Sequence, residues 1–431
     1  QYFRERRLIK FEGLEGASPE AQISHFLYQL SKYTKDPLVS QLKFGSWLEV
    51  LDFLGDLVLK GKWTLYFEEI QWLANYSDTF ISALKYVWDN KLRHNKELIL
   101  ILCGSSPSFI INKIFHSRAL YNRSQYPLLL KEFNLQEIRD FLGPRRSPHE
   151  IMDACLTTGG IPEYLKYLKT SSSIFLSLSR ESFRQGGFFT DEDERIFISS
   201  LAKNPNYQRI IEFLGKRKFS TRDEIAKYLK IKPGGNLTEL LKDLETCGFI
   251  SRYVPYYLKP ESMLSRYCIT DSFLQFHAKF IRPIKKRIAR GDYDEDPTRA
   301  LPKESYQKWL GFAFERFCQK SHRIFSNVLG FSAVQYRCGP FFSRRTDELN
   351  PGYQIDLLFD RDDKVLTVCE IKYTEAAVGT EVINEMDRKL ELLLNPKKKS
   401  IQRILIAPFG ATKALDERHY FDRIITLKEI F

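Results

Sequence analysis

Residues 64–73 read TLYFEEIQWL, and this stretch decides the fold of the first part of the chain. A short apolar strand ends in two carboxylates, Glu68 and Glu69, before a helical pattern begins. At the carboxyl end of a buried parallel strand, side chains emerge beside the ligand crevice of an α/β sheet. The stretch has the form of a Walker B segment, in which Glu68 would hold Mg²⁺ and Glu69 would orient the water that attacks a γ-phosphate. Paired acids also begin helices and occupy solvated turns, which is the alternative interpretation.

Three further apolar runs predict the neighbouring strands: LIKFEG (8–13), LILILC (98–103) and PLLL (127–130). Helical patterns separate these runs. Strands that alternate with helices of this length predict an α/β fold with a mainly parallel sheet covered on both faces.

Polar residues beside these strands extend the candidate site. Ser105 follows LILILC, where a small polar residue can sense a γ-phosphate or cap the next helix. Arg123 precedes PLLL, where an arginine can stabilise phosphate charge. Arg118 is the competing candidate, and either arginine can instead lie on the surface.

Several stretches, taken as an ordered series, resemble the archaeal-type ATPase family, P-loop ATPases of the AAA+/STAND type. The matching stretches are WTLYFEEIQWL (63–73), LILILCGSS (98–106), YNR (121–123), LLLKEFNLQEIRDFL (128–142) and GGIPEYL (159–165). The resemblance implies a P-loop-type sheet, ATP and Mg²⁺ as cofactors, and an approach of Gly160 and Pro162 to the nucleotide. The alternative for these two residues is a helix C-cap followed by a proline that starts the next helix.

Two departures from the family pattern bear on nucleotide binding. The sequence has no GxxxxGK[ST] motif, and QYFRERR (1–7) reads as the tail of the helix that follows such a loop. We therefore expect the core to lack its first strand and P-loop and to bind ATP weakly, because the backbone amides and lysine that cradle phosphates are absent. The family usually has Asp where this chain has Glu68, which changes the reach of the metal ligand.

The pattern predicts five regions along the chain, and the family also carries a winged helix and a nuclease-like C-terminal domain. The expected regions are a truncated AAA+-type core (1–144), a helical lid (145–203), a winged helix-turn-helix (204–260), a connector (261–303) and a nuclease-like domain (304–431). DNA binding by the winged helix stays open. Its third helix presents Glu239, Asp243 and Glu245 against one lysine, so packing against the ATPase core is the alternative.

Two alternating strands carry the candidate site of the last region. GYQIDLLFD (352–360) and VLTVCEIKY (365–373) flank a tight turn, so Asp356 and Glu370 can converge, with Lys372 on the same face as Glu370. Two carboxylates can hold Mg²⁺ and a lysine can orient its water, as phosphodiester hydrolysis requires.

This arrangement of Asp356, Glu370 and Lys372 resembles the PD-(D/E)XK nuclease superfamily. Glu315 matches the acidic residue often found on the first helix of that superfamily. The resemblance implies a restriction-endonuclease-like α/β domain with Asp356 and Glu370 as metal ligands. Surface salt bridging by the same residues is the alternative.

The composition limits the function without choosing it. A net charge of +12 suits nucleotide, DNA or another anionic partner. Apolar runs are too short for a membrane span, and seven scattered cysteines without a CxxC pair argue against a disulfide scaffold or zinc site and favour a cytoplasmic location. Nothing in the sequence indicates an oligomeric state.

Three functional hypotheses follow. The leading one is an AAA+ ATPase coupled to a nuclease-like domain that acts on or near DNA. The alternative is a DNA-binding regulatory protein whose ATPase half does not work. The third is an inert product of a truncated gene.

Overall fold

The computed structural model describes residues 5–116, 120, 123, 125–201, 204–254, 265–343 and 352–431. It divides into two compact units, one formed by residues 1–129 and 196–204 and the other by residues 130–195 and 205–431. Within the described ranges, no helix is both long and apolar enough to cross a membrane.

The first unit is built on a parallel three-stranded sheet, which confirms the predicted parallel α/β arrangement. Its strands, in the spatial order β1-β2-β3, are β1 (Arg7–Glu12), β2 (Trp63–Glu68) and β3 (Ile99–Leu102). Its helices are α1 (Pro19–Thr34), α2 (Trp47–Leu57), α3 (Ile70–Leu73), α4 (Thr79–Asn90) and α5 (Pro107–Phe109). The core is aromatic: the ring of Phe11 in β1 stacks on Phe26 of α1 at 3.7 Å and on Phe67 of β2 at 5.3 Å.

The fourth predicted strand, PLLL (127–130), is wrong. In the described structure, residues 125–130 pair with no strand. Leu128, Leu129 and Leu130 are 81%, 72% and 81% exposed. A strand requires a neighbouring backbone for its N–H and C=O groups and a packed face for its side chains, and here neither is present.

A set of helices begins the second unit. The helices are α6 (Leu135–Leu142), α7 (Pro148–Thr158), α8 (Pro162–Leu168), α9 (Ile174–Phe183) and α10 (Glu192–Ser200), of which α10 continues into the first unit. Asn134 and Glu137 form a reciprocal capping box at the start of α6, which satisfies two backbone N–H groups that the helix leaves free.

Three helices and a small antiparallel sheet follow. They are α11 (Pro205–Gly215), β4 (Ser220–Thr221), α12 (Arg222–Leu229), α13 (Gly235–Thr246), β5 (Ile250–Tyr253) and β6 (Arg266–Ile269), with the sheet in the order β4-β6-β5. Leu237, Leu240, Leu241 and Leu244 form the buried face of α13. The helices α14 (Ser272–Phe276) and α15 (Lys285–Ala289) come next.

The last part of the second unit is a five-stranded mixed sheet with helices. Its elements are α16 (Lys303–Lys320), α17 (His322–Val328), β7 (Tyr336–Ser343), β8 (Tyr353–Arg361), β9 (Val365–Ile371), α18 (Glu381–Glu391), β10 (Ser400–Ile406), α19 (Lys413–Asp416), β11 (Arg423–Ile425) and α20 (Leu427–Ile430). The strand order is β11-β10-β9-β8-β7, antiparallel from β7 to β9 and parallel from β9 to β11.

Hydrogen bonds tie this sheet region to α7 within the second unit. The hydroxyl groups of Thr157 and Tyr306 lie 2.6 Å apart, and the hydroxyl of Tyr373 donates to Oδ1 of Asp153 at 2.6 Å. Because Tyr373 directly follows Lys372, the second bond also fixes the end of β9 where the candidate site lies.

Candidate active site

Asp356 and Glu370 lie opposite each other at the open end of the β8–β9 hairpin. The two strands pair antiparallel with Leu357 across from Cys369. Continuing this register by one residue sets Asp356 across from Glu370, so that the two side chains share a face with Cβ atoms about 5 Å apart. Lys372 is two residues beyond Glu370 and therefore belongs to the same face.

The carboxylate of Asp356 is buried and accepts hydrogen bonds from neutral donors. Nε2 of Gln354 donates to Oδ1 at 2.9 Å, and the backbone N–H of Ile371 donates to Oδ2 at 3.1 Å. The same Gln354 amide donates to Oε2 of Glu315 in α16 at 3.2 Å. Gln354 thus bridges two carboxylates that come from different elements.

Glu370 is only 1% exposed, and two ammonium groups compensate its charge. Nζ of Lys389 in α18 lies 2.5 Å from Oε2, and Nζ of Lys372 lies 3.1 Å from Oε1. Lys372 also pairs with Glu385 of α18 at 2.5 Å. Such partners are required because an unpaired buried charge costs several kcal/mol.

Burial raises the pKa of all three acids, Glu315, Asp356 and Glu370. The charge of Glu315 raises the pKa of Asp356 further, and the charge of Asp356 does the same for Glu370. Burial opposes the ammonium form of Lys372, but its bond to Glu385 and the charge of Glu370 leave its pKa above the ordinary value. The acids therefore form one electrostatically connected set that a cation would stabilise.

All four sequence-predicted residues of this region line one cavity of about 620 Å³. Basic side chains surround them: Lys218, Lys308, Lys372, Arg388 and Lys389. Lys218 comes from the turn between α11 and β4, and its Nζ donates to Oε1 of Gln354 at 3.0 Å. Buried acids inside a ring of cations suit an anion that binds together with a metal ion.

The carboxylates can be tested for their fit to Mg²⁺. In the described ranges, no three His, Cys, Asp or Glu side chains are placed together as metal ligands. Asp356 and Glu370 supply two carboxylates, and Mg²⁺ is commonly held by one or two carboxylates plus water and substrate phosphate. Among the described side chains, none forms an ion pair with Asp356. The pair therefore fits the ion if Lys389 withdraws from Glu370.

Sequence reasoning missed three residues that hold this site. The sequence did indicate that Gln354 lies near Asp356, because it precedes Asp356 by two positions on one strand and so shares its face. The sequence also indicated that Lys389 lies near Glu385, because it follows Glu385 by four positions on one helix face. No feature of the sequence indicated that Lys218 reaches this site, because it comes from a distant part of the chain.

In the first unit, the structure brings Glu69 and Ser105 into contact. The Oγ of Ser105 donates to Oε2 of Glu69 at 2.8 Å, and the buried Nε2 of Gln71 donates to both residues. Glu69 precedes α3 with a φ of 50°, in the left-handed region that side chains other than glycine rarely adopt. Strain of this kind recurs at functional sites. The sequence analysis did not predict a role for Gln71. Its position two residues after Glu69 could have indicated that the two side chains lie close together.

The other strand-end carboxylate, Glu68, faces a different neighbour. It forms an ion pair with Lys10 of β1, and the hydroxyl of Tyr66 donates to its Oε1 at 3.3 Å. The bond to Glu68 raises the pKa of Lys10. Because β2 lies between β1 and β3, Glu68 and Glu69 are directed to opposite sides, and the metal role of Glu68 stays a prediction.

Arg123 makes a bidentate ion pair with Asp89 of α4. Its Nε donates to Oδ1 and its Nη2 to Oδ2, both at 2.8 Å. These bonds lower the pKa of Asp89 to about 2. A phosphate-binding role for Arg123 stays a prediction, and Arg118, the competing candidate, lies outside the described residues.

Gly160 and Pro162 have local structural roles. Gly159 ends α7 with a φ of 68°, and Pro162 begins α8. The C=O of Gly160 accepts a hydrogen bond from the N–H of Phe133 at 2.8 Å, and a Cβ at Gly160 would lie 2.0 Å from the carbonyl oxygen of Phe133. The helix-boundary interpretation accounts for these contacts, and the approach of Gly160 and Pro162 to a nucleotide stays a prediction.

Comparisons with known proteins relate the chain to a curated protein and to several solved structures. No protein-family model matches it. It is similar to the uncharacterized protein MJECL04 of Methanocaldococcus jannaschii, with 27% identity over 374 residues that cover 86% of this chain and 78% of the relative.

Three solved structures are also similar to the chain. The Walker-type ATPase PABY2304 of Pyrococcus abyssi matches with a TM-score of 0.46 and 18% identity, covering 64% of this chain and 85% of that one. The Aeropyrum pernix ORC2 protein, solved as ADPNP–ADP complexes, matches with a TM-score of 0.29 and 14% identity, covering 66% and 78%. Cdc6p from Pyrobaculum aerophilum matches with a TM-score of 0.26 and 12% identity, covering 66% and 80%. At TM-scores this low, the function has to be argued from the chain's own residues.

Proposed function

We propose that residues 304–431 form a PD-(D/E)XK-type domain that hydrolyses phosphodiester bonds in nucleic acid. One observation carries this proposal: Asp356 and Glu370, each one residue beyond the last paired positions of the β8–β9 hairpin, line one cavity together with Lys372 and further cations. Acids with raised pKa values that line an open cavity are typical of functional sites. A salt-bridge network with only a structural role does not require a cavity.

The residues divide the chemical work. Asp356 and Glu370 would hold Mg²⁺, which when bound polarises the phosphate and lowers the pKa of water. Lys372 would orient the attacking water and stabilise the negative charge that develops on the phosphoryl oxygens. In the hydrolysis, the water oxygen forms the new P–O bond, the bridging P–O bond breaks, and the leaving oxygen takes up a proton.

Other residues of the cavity position the carboxylates of Asp356 and Glu370 and the substrate. Glu315 acts through Gln354, whose amide holds the carboxylates of Glu315 and Asp356 in fixed relation. Lys218 and Arg388 supply positive charge for the phosphates that flank the scissile bond. The net charge of +12 agrees with a polyanionic substrate.

Cleavage of end-labelled DNA by the full chain in Mg²⁺ tests the proposal. Lys372→Met should abolish cleavage but weaken DNA binding in EDTA only severalfold, because four other cations of the cavity wall remain. Cleavage by Lys372→Met at the wild-type rate would contradict the role of this lysine.

A second candidate function, ATP hydrolysis in the first unit, is favoured by the contact between Glu69 and Ser105. In this proposal Glu69 orients the attacking water and Ser105 reports the γ-phosphate. Binding of ATP and Mg²⁺ by Glu68 and Arg123 rests on the family resemblance alone.

The ATPase proposal can be tested with a GxxxxGK[ST] segment joined before Gln1. Glu69→Gln should then slow ATP turnover by about 100-fold and spare binding of a fluorescent ATP analogue. Loss of binding instead would remove Glu69 from the water-orienting role.

The two activities would be coupled through the region 204–260, which we propose is a winged helix. The supporting observation is the succession of α11, α12 and α13 followed by the β5–β6 pair. The alternative, a DNA-binding regulator with a non-functional ATPase half, predicts salt-dependent DNA binding that does not respond to ATP and no cleavage.

A further inference from the structure

A second cavity, of about 400 Å³, adjoins the carboxylate cavity in the second unit. The two share Lys218, Lys308, Phe312 and Glu315 in their walls, so they are continuous along α16. None of the functional roles above uses the second cavity.

Arg316 lies in the wall of this cavity. In the part of the chain that the structure describes, its guanidinium makes no hydrogen bond or ion pair and lies 5.8 Å from the ring centroid of Trp309. Burial lowers its pKa to about 10. The charge of the neighbouring Glu315 favours the guanidinium form, but the carboxylate of Glu315 accepts its hydrogen bond from Gln354. A partly buried guanidinium without an acceptor is costly, which indicates that an anion completes it.

The aromatic residue that lines both cavities is exposed. Phe312 of α16 is 44% exposed, and the ammonium of Lys218 lies 4.6 Å from its ring centroid. Phe312 and Arg316 are four residues apart and share one face of the helix. An accessible ring on the same helix face as a guanidinium that makes no hydrogen bond within the described residues matches the base and the phosphate of one nucleotide.

We propose that this second cavity binds the nucleotide next to the scissile phosphate of a single-stranded polynucleotide, with Arg316 on its phosphate and Phe312 stacked on its base. The inference rests on the proposed nuclease function and names its substrate class. Lys216, Arg217 and Lys218, in the exposed turn after α11, extend the positive surface along which the strand would continue.

The dimensions and charges favour a single strand over a duplex. A cavity of about 400 Å³ is suited to one small ligand, and a base can enter it only when it is unstacked from its neighbours. The acidic face of α13, with Glu239 and Glu245, is not suited to the phosphates that flank a duplex groove.

The test is fluorescence anisotropy of the full chain with a short fluorescein-labelled oligo(dT) in EDTA, where cleavage does not occur. Arg316→Met and Phe312→Ala should each weaken binding by about tenfold, and Arg316→Met should also reduce the slope of log K against log salt by about 0.7. The matched control is Arg418→Met at an exposed arginine, which should bind as the wild type does.

A stability measurement separates a ligand-binding arginine from a structural one. Arg316→Met should leave the Tm unchanged or raise it, because the variant removes a charge whose burial is unfavourable, whereas loss of a structural arginine would lower it. If Arg316→Met does not fold, Phe312→Ala decides the question, because its ring is exposed.

Three results would overturn the inference: wild-type binding by both variants, a lowered Tm for a folded Arg316→Met, or tighter binding of duplex than of single strand. Oligo(U) in place of oligo(dT) distinguishes RNA from DNA. If the chain cleaves nothing but the variants still lose oligonucleotide binding, the subsite stands and the nuclease proposal fails. If the chain cleaves DNA and the variants bind the oligonucleotide as the wild type does, the nuclease proposal stands and the subsite proposal fails.

Discussion

The ammonium of Lys389 lies 2.5 Å from Oε2 of Glu370, at the position where a divalent cation bound to this carboxylate would compete with it. Glu370 is buried, so its ionised form requires a cation beside it. Lys389 therefore acts as the counter-charge of the metal-free site.

Replacing this lysine should strengthen metal binding. We expect Lys389→Met to lower the Kd for Mn²⁺ by about tenfold, because the competing ammonium is gone, and to lower the Tm of the metal-free protein. Isothermal titration with Mn²⁺ measures the first effect. Lys413→Met, at a lysine that is 90% exposed, is the control and should change neither quantity. An unchanged Mn²⁺ affinity in Lys389→Met would show that the metal does not use Glu370.

Gly160 should be indispensable for packing in the second unit. A Cβ there would lie 2.0 Å from the carbonyl oxygen of Phe133, so Gly160→Ala should destabilise the protein by about 1–3 kcal/mol in urea unfolding. Gly235→Ala is the matched control, because a Cβ at Gly235 meets open space at the start of α13, and it should be neutral or slightly stabilising. Equal stabilities of the two variants would mean that Gly160 is kept for another reason, such as the nucleotide.

The buried Asp153 should make stability depend on pH. Burial raises its pKa to about 6, although the hydroxyl of Tyr373 donates to it. Its unfolded pKa is about 3.9, so the folded state binds the proton more tightly, and ionisation costs stability as the pH rises through about 6. The cost disappears as the pH falls below about 4.

Asp153→Asn removes this cost and keeps an acceptor for Tyr373. The variant should exceed the wild type in unfolding free energy by about 2–3 kcal/mol at pH 8, and the two should converge as the pH approaches 4. Urea unfolding at a series of pH values measures the difference. A variant that is less stable than the wild type at pH 8 would refute the assigned ionisation.

Local sequence pattern was sufficient where the site lies on adjacent strands. The alternation of GYQIDLLFD and VLTVCEIKY and the short turn between them fix the register that sets Asp356 across from Glu370. The parallel sheet of the first unit was predictable for the same reason, because strands alternate with helices of regular length.

The sequence pattern did not predict features that depend on a contact with a distant part of the chain. PLLL (127–130) is apolar enough for a strand, yet composition does not supply the neighbouring backbone that a strand needs. Lys218 reaches the carboxylate cavity from the turn after α11, and sequence gives no sign of a contact over such a separation. The ion pair between Glu68 and Lys10 could not be predicted from the sequence either, because it depends on the pairing of β1 with β2.

The central claim is that Asp356 and Glu370 form one metal-dependent phosphodiesterase centre. Its most direct test is the rate at which the full chain cleaves labelled single-stranded DNA in Mg²⁺, compared with Asp356→Asn and with Asp362→Asn, an exposed aspartate in the turn of the same hairpin. The account predicts that Asp356→Asn lowers the rate by at least about 100-fold and that Asp362→Asn leaves it unchanged. Cleavage that survives in Asp356→Asn, or no cleavage by the wild type with any strand in Mg²⁺ or Mn²⁺, would contradict it.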